Sequence, residues 1–357
     1  MKIAVGLSGG VDSAVAAYLL KKKGHEVIGI TMKIWDETLK GTFKGNACFG
    51  PDEKEDLEDI KHITEILKIS MHVLDLSEEY SRDILDYFRK EYASGRTPNP
   101  CVRCNQSMKF KLLLKKARES GIDFDYFATG HYAKVKKNKK SGRIILKKAR
   151  DSSKDQSYFL SLLTQEQLSN VIFPLGRLKK KKVKKIARRI GLRVYDKKES
   201  QDFYPGDYND LLDRLPEKGD IVLANGKVLG RHKGIFHYTI GQRKGLGISY
   251  NEPLYVIEID KEENRIIVGL EKNLYRKELI VANPNWIIES NFKNFLKVKA
   301  KIRYLHKEAP AIIEKTDVNK IRLLFNKPQR AIAPGQYAVF YKNKMVVGAG
   351  VIEKVVS

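Results

Sequence analysis

An α/β fold is predicted for this chain of 357 residues: a doubly wound, mainly parallel sheet first, then two small β-rich domains. Three observations carry that prediction. Strand-like and helix-like runs alternate through the first two hundred residues. A glycine-containing turn joins the first strand to the first helix. After Gly206 the pattern changes to short β runs broken by glycine and proline.

Taken in order, Lys2 to Leu7 reads as a buried strand, Ser13 to Lys23 as a helix and Glu26 to Lys33 as a second strand. A long loop rich in glycine and charge precedes a helix over Glu55 to Leu67. Met71 to Asp75 and Tyr126 to Thr129 add strands, and Lys134 to Lys137 with Arg143 to Lys147 form a hairpin about Ser141-Gly142. Later β runs cover Ile221 to Ala224, Tyr255 to Asp260, Arg265 to Gly269, Leu296 to Tyr304, Ile321 to Phe325 and Tyr337 to Tyr341. The division that follows is 1–206, 207–276 and 277–357, the second boundary falling within Leu274 to Leu279.

Lys and Arg outnumber Asp and Glu by 68 to 43, a formal charge of +25, which favours a polyanionic partner. No stretch approaches the roughly 18–20 apolar residues of a membrane span, and the N-terminus enters a strand directly, so a cytoplasmic protein with no membrane partner is expected. Three cysteines are too few for a disulfide scaffold. Cys101-x-x-Cys104 instead points to redox chemistry or metal.

The run Gly6-Leu7-Ser8-Gly9-Gly10-Val11-Asp12-Ser13 sits where a strand feeds a helix, so its N–H groups can converge with the helix N-terminus on a phosphate. No Gly-Lys-Ser/Thr follows, so it is not the kinase and GTPase loop. It is similar to the pyrophosphate loop, SGGxDS, of enzymes that cleave ATP between its α and β phosphates. On that reading Ser8 and Ser13 donate hydroxyls and Asp12 holds Mg²⁺ against departing pyrophosphate. Met32 ends the second strand beside the adenine, Gly130 allows nucleotide approach, and His131 is available for a polar contact.

With these pieces, Gly95-Arg96-Thr97-Pro98-Asn99-Pro100-Cys101-Val102-Arg103-Cys104-Asn105, Lys154-Asp155-Gln156-Ser157-Tyr158 and Gly241-Gln242-Arg243-Lys244-Gly245-Leu246-Gly247 resemble the bacterial tRNA-specific 2-thiouridylase family nearly end to end. The resemblance implies a pyrophosphatase-type N-terminal domain, a small central domain and a C-terminal β-barrel. It implies thiolation of the wobble uridine of tRNAs for Lys, Glu and Gln, with sulfur from a donor protein or inorganic sulfide. Asn99, Pro100 and Cys101 match the segment that meets the base, although the family usually has Asp at Cys101. Cys104 matches the sulfur-handling cysteine. Lys154, Asp155 and Gln156, and Arg303 with Tyr304, match tRNA contacts. The family's persulfide cysteine falls on Tyr204, within Glu199-Ser200-Gln201-Asp202-Phe203-Tyr204-Pro205, so the usual two-cysteine relay cannot use these positions.

The chemistry is coherent without the name. Attack of the uridine C2 oxygen on the ATP α-phosphate turns a poor leaving group into an O-AMP adduct that sulfur can displace. The base must leave its stack to reach such a site. The cationic run Arg177 to Arg189, with Val183, Ile186, Ala187 and Ile190 as its apolar stripe, is a candidate tRNA-phosphate surface or a solvated face. For sulfur delivery three routes stay open: an iron–sulfur cluster on Cys48, Cys101 and Cys104, a Cys101–Cys104 persulfide and disulfide relay, or a structural zinc completed by a residue such as His131. Two rival functions stand beside this one, a small-molecule pyrophosphate-loop ligase and a catalytically silent tRNA-binding paralogue.

Overall fold

The computed structural model describes residues 1–35, 47–197, 202–212, 217–288, 292 and 295–356. The glycine- and charge-rich loop over 36–46 and Glu199-Ser200-Gln201 lie outside the described residues. The chain divides into two compact units: Met1–Ile84, Cys101–Asp210 and Asn343–Val346 form one, and Leu85–Pro100, Leu211–Lys342 and Val347–Ser357 the other.

In the first unit, β1 (Lys2–Gly6), β2 (Glu26–Lys33), β3 (Ser70–Asp75), β4 (Tyr126–Thr129) and, after the hairpin β5 (Ala133–Lys137) and β6 (Ile144–Lys148), β7 (Val171–Ile172) are the strands. Five of them form a sheet in the order β3-β2-β1-β4-β7, parallel throughout. The order reverses between β1 and β4. In such sheets the crevice at the carboxyl ends of these strands is where ligands bind. Helix α1 (Val11–Lys22) follows β1, and Val11, Ala14, Val15, Ala16, Ala17 and Leu20 are all buried. A helix apolar on nearly every face belongs inside, and α1 packs between α2 (Glu53–Leu67) and the basic helix Lys180–Arg189. In that basic helix Val183, Ile186 and Ala187 are buried and Ile190 packs partly against the same core, as the apolar stripe predicted.

The second unit holds two β structures. The strands β8 (Gly219–Leu223), β9 (Val228–His232), β10 (Tyr255–Asp260) and β11 (Arg265–Gly269) form a sheet in the order β10-β11-β8-β9. The strands β12 (Tyr275–Trp286), β13 (Phe295–Lys301), β14 (Ala309–Asp317), β15 (Lys320–Arg330), β16 (Tyr337–Lys342) and β17 (Met345–Val356) run in the order β12-β15-β14-β13-β16-β17. Pairing of β12 with β17 closes this set into a six-stranded barrel. Its interior is filled by side chains such as Leu279, Ile313, Phe325 and Phe340, all fully buried.

The sequence reading misses β7, β9, β12, β14 and β17. Prolines hide two of them. Pro310 is the second residue of β14, and Pro284 sits where the β12–β17 register shifts between Ala282 and Asn285, a place where no ladder N–H is required. The expected strand over Leu296 to Tyr304 ends at Lys301, which leaves Arg303 and Tyr304 beyond it.

Candidate active site

A cavity of about 310 Å³ opens at the switch point of the parallel sheet, within the range of nucleotide-sized pockets. Gly6, Leu7, Ser8 and Gly10 at the end of β1, Met32 at the end of β2, and Gly130 after β4 all face it. This is the convergence the strand order dictates. Inside the loop the Ser8 N–H donates to Ser13 Oγ at 3.2 Å, and Ser13 Oγ donates to the Gly10 carbonyl at 3.1 Å. Gly9 has φ +65°, and a Cβ there would lie 2.8 Å from Asp56 Oδ1 on α2, so only glycine fits the turn.

Gly130 and Asp12 also have structural roles here. A Cβ on Gly130 would stand 2.6 Å from the backbone of Asp12 and Ser13. Its glycine therefore lets the end of β4 close onto the first turn of α1, beyond simply leaving room for a ligand. Asp12, for its part, has a partner on each carboxylate oxygen. Tyr132 donates its hydroxyl to Asp12 Oδ1 at 2.7 Å, and Lys180 Nζ pairs with Asp12 Oδ2 at 2.7 Å. The Lys180 side chain is only 11% exposed. The first residue of the basic helix is thus spent on the phosphate loop and removed from the solvated face.

Charges around the cavity are mostly balanced. Lys197 pairs with Asp56 at 2.8 Å and with Asp59 at 2.5 Å, while Glu53 Oε1 accepts from the N–H groups of Ile34 and Trp35. His131 Nδ1 lies 2.8 Å from Thr129 Oγ1 among Phe110 and Phe173. Burial, aided by the Lys109 ammonium, pushes His131 down to about 3, which makes it a neutral polar contact and a poor base. Lys109 is the residue that sequence reasoning missed. Burial lowers its pKa and the neighbouring Cys48, Cys104 and Cys101 raise it, with a net upward shift.

The cysteines are free. Cys48 is exposed and lines the cavity, Cys101 is half-buried and Cys104 is buried. Burial pushes the Cys101 thiol well up, and it pushes Cys104 up to about 11 against the pull of Lys109. Each thiol feels the charge of Cys48, yet among the described residues no three His, Cys, Asp or Glu side chains are grouped closely enough to hold a metal ion. The three cysteines therefore do not make the expected cluster site, nor does His131 complete a zinc site. Where the family's persulfide cysteine falls, Tyr204 is 2% exposed, its ring tilted against that of Phe49 at 6.2 Å between centroids. Ala47 bridges Asp202, and the Phe49 N–H donates to the Phe203 carbonyl at 2.8 Å. The loop carrying Cys48 is thus zipped to the segment carrying Tyr204.

The remaining predicted contacts have structural partners. Asp155 accepts from the Ala149 N–H and Ser157 Oγ, both at 2.8 Å, and Gln156 brackets the Tyr132 backbone from the cavity wall. Lys154, whose N–H donates to the Asp151 carbonyl at 3.2 Å, is half-buried beside them. In the second unit Asn99 Nδ2 lies 3.5 Å from Gln336 Oε1, and the carbonyl of Pro98, two residues before Pro100, accepts from Gln336 Nε2. Arg303 donates to the Ile240 carbonyl at 3.0 Å, and Lys301 sits over the Tyr304 ring. No helix among the described residues is long and apolar enough to cross a membrane.

Three family models match in sequence: a tRNA methyl transferase HUP domain over residues 1–204, a tRNA methyl transferase PRC-barrel domain over 211–270 and an aminomethyltransferase beta-barrel domain over 276–352. The chain is 47% identical over 356 residues to the tRNA-specific 2-thiouridylase MnmA of Endomicrobium trichonymphae, covering 99% of each chain. It is 42% identical to the protein of that name from Clostridioides difficile strain 630, over 99% of this chain and 98% of that one. A Thermoanaerobacter sp. strain X514 protein, tRNA-specific 2-thiouridylase MnmA 2, is 47% identical with 99% and 98% covered.

Proposed function

Because the chain belongs to the tRNA-specific 2-thiouridylase family, we propose that it uses ATP to activate the C2 oxygen of a tRNA wobble uridine and replaces that oxygen with sulfur. The observation that carries this reading is the cavity itself: a phosphate loop at the switch point of a parallel sheet, with a cysteine in the same wall. The loop N–H groups and the N-terminus of α1 take the phosphates. Uridine O2 bonds to the α-phosphorus as pyrophosphate leaves, and sulfur then displaces AMP from C2. The domains that serve this chemistry are 1–206 for activation, 207–276 as a small central module and 277–357 as the barrel. Asn99, Pro100 and Cys101 would meet the base, and Lys154, Asp155, Gln156, Arg303 and Tyr304 would lie along the RNA.

Sulfur transfer is assigned to thiols. Among the described residues no three His, Cys, Asp or Glu side chains are grouped to hold a metal, and Asp12 has a partner on each oxygen, so no step is routed through an iron–sulfur cluster or Mg²⁺. Backbone pairing of the Cys48 loop with Asp202 and Phe203 supports Cys48 as the stand-in for the cysteine missing at Tyr204. Being exposed, Cys48 can take the outer sulfur of a donor persulfide; attack of Cys104 on the Cys48 sulfur then releases hydrosulfide toward C2 and leaves a Cys48–Cys104 disulfide, which an external thiol reduces. Nucleoside mass spectrometry of tRNA incubated with the protein, ATP, a persulfide donor and a thiol reductant tests the reading. It should give 2-thiouridine, AMP and pyrophosphate in equal amounts. Exchange of ATP with pyrophosphate that ignores tRNA would favour the small-molecule ligase instead.

The basic helix carries a second prediction. Lys181, Lys182 and Lys185 are exposed on the face opposite the core. Replacing all three with Gln should weaken tRNA binding and lower the slope of log affinity against log salt by about 0.7–0.9 per lost phosphate contact. Fluorescence anisotropy across a salt series measures both, and an unchanged slope would return this face to plain solvation.

A further inference from the structure

We infer that Lys109 is the phosphate-holding cation of the cavity. The inference rests on the ATP-dependent reading above, and it begins from an accounting of charge. A triphosphate brings roughly four negative charges into a cavity whose wall already contains Asp12, Asp52, Glu53, Glu55 and Asp56. The only cations in that wall, among the described residues, are Lys109 and Lys197. Lys197 is committed to Asp56 and Asp59. Lys180 cancels Asp12 from outside the wall. Lys109 has no carboxylate partner among the described residues, so its charge is available to a ligand.

Local backbone explains how a lysine arrives there. Residues Pro100–Cys104 and Leu113–Glu119 are α-helical, but Asn105–Leu112 between them is π-helical. Each residue of an α-helix turns the chain by about 100°, so a π-turn, which carries one extra residue, re-aims every side chain after it. Cys104, Asn105, Met108 and Phe110 are buried along this run, and Lys109 emerges between buried neighbours into the cavity. An ammonium in such a partly desolvated wall attracts a phosphate far more strongly than one in water.

The test is nucleotide binding to the full-length protein without tRNA, by isothermal titration calorimetry with ATP and with adenosine. Lys109→Met should weaken ATP at least tenfold and leave adenosine affinity unchanged, and Lys109→Arg should recover most of the loss. A lysine that only supports the fold would weaken both ligands together, and that result overturns the inference. So does unchanged ATP affinity, above all if the pH profile of Cys104 alkylation moves instead, since Lys109 would then serve the thiols. Failure of the thiolation reading shows separately, as wild-type protein that binds ATP but makes no 2-thiouridine.

Discussion

Asp12→Asn should lower uridine thiolation by on the order of 10²–10³-fold, with tRNA affinity nearly unchanged. The variant keeps the shape of the side chain but removes its charge at the first turn of α1, where the phosphate loop meets the helix. It also strands the Lys180 ammonium, which is almost wholly covered by the loop. Breaking a buried pair from one side costs about 3–5 kcal/mol, so some loss of stability is expected as well. The two effects separate in Asp12→Asn/Lys180→Met. Removing both charges should return most of the stability seen in urea denaturation, because no unpaired ion remains, while activity stays low. Near-normal 2-thiouridine formation in Asp12→Asn would sink the assignment of this loop to the nucleotide.

Serine at Cys104 or at Cys48 should abolish thiolation, a drop of on the order of 10³-fold or more, yet preserve tRNA-dependent release of pyrophosphate. A hydroxyl neither carries a sulfane sulfur nor breaks an S–S bond, whereas activation of the C2 oxygen needs no thiol. Cys101→Ser should cost far less, because the relay assigned here runs between Cys48 and Cys104. Pyrophosphate release is followed with a coupled phosphate assay, and thiolation by nucleoside mass spectrometry on the same samples. Iron and sulfide are measured on protein purified without air. If iron and sulfide are stoichiometric, vanish in each single serine variant and track activity, the thiol relay is wrong and a cluster carries the sulfur. A relay predicts metal-free protein with full activity.

Much of this was legible along the chain, and the reason is locality. A strand running into Ser8-Gly9-Gly10-Val11-Asp12-Ser13 and then an alanine-rich helix is a contiguous signal, readable from neighbours a few residues apart. Alternation of elements predicts a parallel sheet with ligands at the carboxyl ends of its strands, and Met32 and Gly130 stand there beside that loop. Where local signals conflict, the reading failed: Pro284 and Pro310 interrupt the β patterns of strands that the barrel nevertheless completes.

Sequence by itself therefore determined the α/β class, the glycine turn from β1 into α1, the Cys-x-x-Cys spacing and the family. Tertiary structure alone decided which charges and thiols are available. Lys180 reads as one more lysine in a basic run until it is found 2.7 Å from Asp12, 168 positions away. Lys109 carries no motif, and it becomes the available cation only because Lys197 is taken by Asp56 and Asp59. Cys48 reads as a stray cysteine until its loop pairs with the segment around Tyr204. The physical reason is common to all three. Backbone preference is set by adjacent residues, but the state of a charge or a thiol is set by burial and by partners that only the folded chain brings together.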